Sequence, residues 1–451
     1  MAAKQENVKW VDGLRGVASF LVVVTHLCRA LDDALFSPSM GEEPNSPVRL
    51  FQRPFLRVFV QGRIGVAVFS LVTGYVCALK PIRTMRSGRP EVALQNVAKS
   101  AFRRVPRLFL PAAIATTICW FAAQFGVFEV GKRGDSVWIA LTNPEPTLWF
   151  NDSLISLFSS LIHTWTNGQN YYDGNQWTLM PLLRGSMMVY ILLFITAYMQ
   201  PRHRMITVFG FFLYYYIGND SVFGMQFIFG VFLSELSQIP EHKEWLMTHT
   251  KVLTRIVSPI IFTLGLYFAS YPADNPGWTP WSRTMMTVAT YISPPACDVP
   301  HFFTGAGIIL IALAIHISGF LKTILSSKYL LWLGKNSFAV YLLHGGLLRS
   351  ILCWMIWGIH APTDFVNSEG KMERPPPKPR SGLLRVWLSV VAFFIILYFV
   401  ASLWMRYVDP WCARTTQKLE KYMWTDPAEQ AWNEKAEVVV NGRSEGRLLP
   451  V

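Results

Sequence analysis

Arg15 and His26 are the residues of this 451-residue chain whose types and spacing first invite a chemical reading. They sit near the two ends of DGLRGVASFLVVVTHL, residues 12–27, a stretch that is otherwise almost wholly apolar. Ionisable groups are costly inside an apolar helix, so each needs a reason to be there. On an α-helix, eleven residues make three turns plus about 20°, with about 16 Å of rise. The two side chains therefore share a face at different depths. A guanidinium offers phosphate a fixed fork of donors. An imidazole that titrates near neutrality can take a proton from a hydroxyl. One molecule could bridge such a pair: a coenzyme A thioester, with phosphates at the level of Arg15 and its acyl carbon near His26. The spacing equally allows Arg15 to snorkel to headgroups and His26 to bond a neighbouring helix.

Other stretches add candidates of the same kind. AFRRVPRLFLP, 101–111, carries Arg103, Arg104 and Arg107, either a phosphate clamp or the ordinary basic flank of a span. RIGVAVFSLVTGYV, 63–76, holds Gly65, Thr73 and Gly74, small residues that let helices approach closely. In NQWTLMPLLRGS, 175–186, Trp177 suits an interfacial anchor and Arg184 a snorkelling cation. LGKNSFAVYLLHGG places Ser337, Tyr341 and His344 at i, i+4 and i+7. That spacing is one helical face, turned to a polar cavity or to another helix. His316 in IALAIHISGF reads as a packing histidine.

The elements that must position these residues are membrane helices. The chain is 52% hydrophobic and only 15% charged, with mean hydropathy +0.30, where a soluble domain carries about 25% charge. Apolar runs near 11–31, 62–79, 107–128, 182–200, 204–219, 221–238, 252–271, 301–321, 336–357 and 384–407 predict an all-α, polytopic integral membrane protein. Its fold is expected to be a bundle of about ten transmembrane helices. The first run lacks a small-residue cleavage site and is expected to stay as the first helix. Residues 1–408 are read as the membrane domain, and 409–451 as a polar, cytosolic, flexible tail.

A net charge of +13 and a pI near 9.5 do not imply nucleic acid here, because the basic residues punctuate apolar spans. The partners expected are the lipid bilayer and a small molecule. The stretch 80–107 has eight Lys or Arg and one acid. Together with QPRHR at 200–204 and Lys322, Lys328 and Lys335, it predicts cytosolic N- and C-termini, in an endomembrane or the plasma membrane. The loop 129–180 then lies opposite, where NDS at 151–153 makes Asn151 a candidate glycosylation acceptor. Two basic stretches contradict this orientation. They are 49–63, read as lying along the interface, and 371–380, which includes the Pro-rich ERPPPKPR, read as a stiff linker. Six scattered cysteines show no metal-ligand spacing, so free thiols and no metal are expected.

Together these stretches resemble the acyltransferase 3 family of membrane O-acyltransferases, most closely its fungal-type branch. The resemblance rests on Arg15 and His26 in the first span, VFSLVTGY, RRVPRLFLP, WTL…RGS and LGKNSFAVYLLH, in that order. It implies a ten-helix bundle that moves an acyl group, often acetyl, from an acyl-CoA co-substrate to a hydroxyl. It further implies His26 as the base, with Arg15, Arg104 and Arg107 on the donor. Trp177, Tyr341 and His344 are candidate cavity residues. The acceptor expected is a secondary metabolite or a sugar. One departure stands out: Leu182 occupies a position where related sequences often carry glutamate. It motivates the alternative of a catalytically inactive relative. A multi-span transporter would also keep Arg and His inside helices.

Overall fold

A chain segment in lipid has no water to satisfy its backbone, so long apolar runs close their hydrogen bonds internally as helices. The structure, a computed structural model, describes residues 8–424. Its main helices are α1 (Lys9–Leu31), α2 (Gly62–Arg86), α3 (Pro90–Gln124), α4 (Phe150–Thr166), α5 (Leu179–Ile195) and α6 (Pro201–Ile217). They continue with α7 (Gly224–Leu236), α8 (Thr250–Ala269), α9 (Pro280–Ile292), α10 (Val299–Ile317), α11 (Lys328–Trp357) and α12 (Leu383–Met423). Among the described residues, eight helices are long and apolar enough to cross a membrane. Every one of the ten expected spans falls on a helix, with α6 and α7 the short ones. Phe125, Phe194, Ile217 and Ile395 are among many large apolar side chains left exposed, as lipid-facing residues are.

Glycines bring the central helices into backbone contact. A Cβ on Gly16 of α1 would lie 2.6 Å from the Gly334 nitrogen of α11, and one on Gly334 would lie 2.0 Å from the Asp12 carbonyl. Only glycine fits there, and the contact fixes the register of α1 against α11. Gly74 of α2 makes a similar approach to the Phe227 carbonyl of α7.

Several stretches fold otherwise than their sequence suggested. The basic segment 80–107 is helical except at Ser87–Arg89, because α2 and α3 continue past their apolar parts. Residues 129–180 contain α4, whose apolar residues the serines and threonines had masked. Arg204 of QPRHR is no loop cation. It is buried and pairs with Glu235 at 2.8 Å, and Arg86 reaches the same carboxylate at 2.8 Å. This cluster ties α2, α6 and α7 together. α12 has 41 residues, about 60 Å of helix, twice a bilayer's apolar thickness. The expected boundary at 408/409 falls inside it, and residues 425–451 of the expected tail lie outside the described residues.

Several of the arginines that broke the orientation rule have partners. Arg57 is fully buried and donates to the carbonyls of Leu35, Phe36 and Ser37. Arg49 pairs with Asp32, and Arg63 donates to Gln61. The Pro-rich segment is docked rather than a free linker. The Lys378 amide donates to the Arg133 carbonyl at 2.7 Å, and Arg380 pairs with Asp135 at 3.1 Å. A small hairpin, β1 (Phe365–Val366) with β2 (Met372–Glu373), precedes it. The hairpin side is held by Arg133, which hydrogen-bonds Asp364 and so keeps that carboxyl below the ordinary carboxylate range.

Candidate functional site

A cavity of about 770 Å³ opens among α1, α2, α3, α5, α11 and α12, a size in the range of ligand sites. Lys9, Arg15, Arg103, Arg104, Arg107 and Lys335 line it, against two carboxylates among the described residues, Asp12 and Asp409. The three arginines singled out in the sequence therefore meet in one place, although two helices carry them. Arg15 stands 3.8 Å from Asp12, and Arg103 pairs with Glu420 at 2.8 Å. Arg104 reaches Thr73 only at 3.5 Å, and among the described residues its Nε has no partner. Leu182 lines the same cavity and brings no charge to it. A guanidinium so placed is available to an anion. Asp409, Cys412 and Ala413 of α12 complete the wall. The sequence reads these residues as part of a polar tail, but they lie on α12.

Deeper in, the lining turns apolar, with Phe69, Val72, Leu179, Phe338 and Tyr341. Neither His26 nor His344 is part of it. They meet one helical turn beyond Tyr341, where His26 Nδ1 and His344 Nε2 are 2.8 Å apart. His344 Nδ1 lies 2.8 Å from the Tyr341 carbonyl and 3.1 Å from that of Val340. Carbonyls only accept, so Nδ1 of His344 carries the hydrogen. In the neutral pair, His344 Nε2 then accepts, and His26 Nδ1 must donate to it. That leaves His26 Nε2 with a free lone pair. The His26 ring also stacks on Trp138, 5.6 Å between centroids and 13° between planes.

Buried polar groups surround the pair that the sequence did not single out. Arg349 donates to the carbonyls of Gly345, Thr142 and Tyr172, and lies 3.4 Å from Asp173. Asp173 is fully buried and packs against Gly345, beside His344. Asn170 and Gln176 extend the network to Thr116. Their partners are far apart in sequence, so no spacing announces them. Tyr341 lines the cavity, and its hydroxyl bonds Thr178 at 2.7 Å and the Asn175 carbonyl. Trp177 does not line the cavity. It is 45% exposed and meets the edge of Phe223, as an interfacial anchor does. Asn151 is exposed in the first turn of α4, beside the exposed Trp149 and Phe150. Among the described residues, no group of three or more His, Cys, Asp or Glu is placed to hold a metal.

Comparison with known proteins agrees with the architecture. The acyltransferase 3 family, described as an acyltransferase domain, matches residues 8–405. The O-acetyltransferase PaAT-1 of Phomopsis amygdali is 23% identical, covering 93% of this chain and 88% of the relative. Acyltransferase R4 of a Phoma species is 22% identical over 92% of this chain and 96% of its own. Acyltransferase clz18 of Cochliobolus lunatus is 21% identical over 76% and 82%. No solved structure matches. Since one family's domain runs through nearly the whole of a multi-pass helical chain and the relatives are themselves named acyltransferases, this protein belongs to the acyltransferase 3 family and is a membrane acyltransferase for groups other than aminoacyl groups.

Proposed function

We propose that the protein acetylates a hydroxyl of a small molecule, a secondary metabolite or a sugar, from acetyl-coenzyme A, with His26 as general base. The observation that carries this is the 2.8 Å contact of His26 with His344, which leaves His26 Nε2 as a proton acceptor. The donor's phosphates bind Arg15, Arg104 and Arg107 at the basic mouth, and its pantetheine arm follows the apolar depth of the cavity. The mouth faces the cytosol in this reading, with both termini on that side.

The acceptor hydroxyl gives its proton to His26 Nε2 as its oxygen attacks the thioester carbon. The C–S bond breaks, and the imidazolium returns the proton to the departing thiolate. The products are an ester and free coenzyme A. Asp173 lies beside His344, with Arg349 as its own partner. His26 is partly exposed although it does not line the cavity, which favours a separate approach for the acceptor.

The test incubates membranes with labelled acetyl-coenzyme A and candidate acceptors, wild type beside His26→Ala at equal abundance. Loss of labelled product in the variant is expected. Undiminished transfer rejects His26 as the base.

A further inference from the structure

We infer that Tyr341 is the stop between the donor cavity and the histidine pair, and that it sets the length of acyl chain the enzyme accepts. This rests on the reading of the cavity as an acyl-coenzyme A site.

Tyr341 is the deepest cavity-lining residue on α11, and its ring is 6.1 Å from that of His344, which the cavity does not reach. The Phe69 ring meets it at 6.4 Å, and Leu179 flanks the same end. The tyrosine is 7% exposed. Its hydroxyl is committed. The Asn175 carbonyl can only accept, so Tyr341 O–H donates there, and Thr178 O–H donates to the tyrosine oxygen. Both partners belong to the chain just before α5, so the ring is latched to a different element from the one that carries it.

A thioester carbon must come within about 3–3.5 Å of the attacking oxygen, and that oxygen must be within about 2.6–3.2 Å of His26 Nε2. The thioester carbon therefore has to reach the edge of the Tyr341 ring, with the pantetheine arm on the cavity side and the acyl chain lying against the ring. A seated Tyr341 leaves room for the smallest acyl group and collides with a chain that extends further. The backbone carbonyl of the same residue fixes the His344 tautomer. A side-chain substitution leaves that carbonyl in place, so chain selection separates from proton transfer.

The experiment measures donor binding, free coenzyme A release and ester formation by full-length protein in membranes, with acetyl- and butanoyl-coenzyme A, for wild type, Tyr341→Leu and Tyr341→Phe. Wild type is expected to prefer acetyl. Tyr341→Leu, which removes the stop, is expected to raise the butanoyl-to-acetyl ratio of kcat/KM about tenfold. Tyr341→Phe keeps the bulk and loses only the latch, so it folds where the leucine variant does not, and a smaller rise is expected. An unchanged ratio in either folded variant overturns the inference. Wild type that binds neither acetyl- nor butanoyl-coenzyme A overturns the cavity reading, and the selector with it.

Discussion

His26 and His344 stand 2.8 Å apart on two helices that touch backbone to backbone through Gly16 and Gly334. The close approach of α1 to α11 is what allows two imidazoles, 318 residues apart in the chain, to share one hydrogen.

If His344 orients His26, its loss should lower kcat without removing the base. His344→Ala is expected to cost about 10² in kcat, within the range of general-base effects, with little change in donor KM. His344→Gln restores an acceptor for His26 Nδ1 and should recover part of the loss. Steady-state kinetics on both variants checks this, and equal activity of the two would remove the orienting role.

Arg104 and Arg107 should act on donor affinity. Alanine at either position is expected to raise the KM for acetyl-coenzyme A about tenfold, the worth of one charge-assisted contact, and to leave kcat nearly unchanged. Lysine at Arg104 should restore the charge but not the fork. A fall in kcat alone would place these residues elsewhere in the reaction.

Gly334→Ala should be felt at both the fold and the site. Its Cβ would sit 2.0 Å from the Asp12 carbonyl, backbone that cannot move aside. A loss of about 1–3 kcal/mol is expected, read as a lower unfolding temperature in detergent. Gly382→Ala, where a Cβ meets nothing within 4 Å, is the matched control and should unfold as wild type does.

The docked hairpin segment should be acid-labile. Asp364 is held below the ordinary carboxylate range by its hydrogen bond to Arg133. A carboxyl depressed on docking favours docking at every pH above its undocked value, and that contribution is lost as pH falls through the docked one. Hydrogen exchange at Asn367–Lys371, corrected for intrinsic rates, should therefore stay slow at neutral pH and quicken only in acid. Arg133→Gln should make it fast at neutral pH. Slow exchange in that variant would show that other contacts hold the segment.

Much of this was legible in the sequence, and the reasons are physical. Arg15, Arg104 and Arg107 stood out because a guanidinium beside an apolar span has few roles, but that they line one cavity was not legible, because spacing does not say which helices meet. Nor was the partnership of His26 with His344, because helix periodicity says nothing about which faces meet. Glu235 with Arg86 and Arg204, and Asp173 with Arg349, were missed on the same ground: a buried ion pair drawn from distant segments has no spacing. α4 was missed because serine, threonine and asparagine lower its hydropathy, and the length of α12 because charged residues on a helix that leaves the membrane resemble a tail.

That length has a consequence for biosynthesis. Asp409, Cys412 and Ala413 wall the cavity, and Glu420 pairs with Arg103 from the far end of the same helix. A growing polypeptide emerges from its first residue onward, so every other wall is made before this one. A nascent chain halted short of Asp409 would hold the histidine pair and the arginines around an open trough. The basic mouth is completed only once the chain through Glu420 has been made.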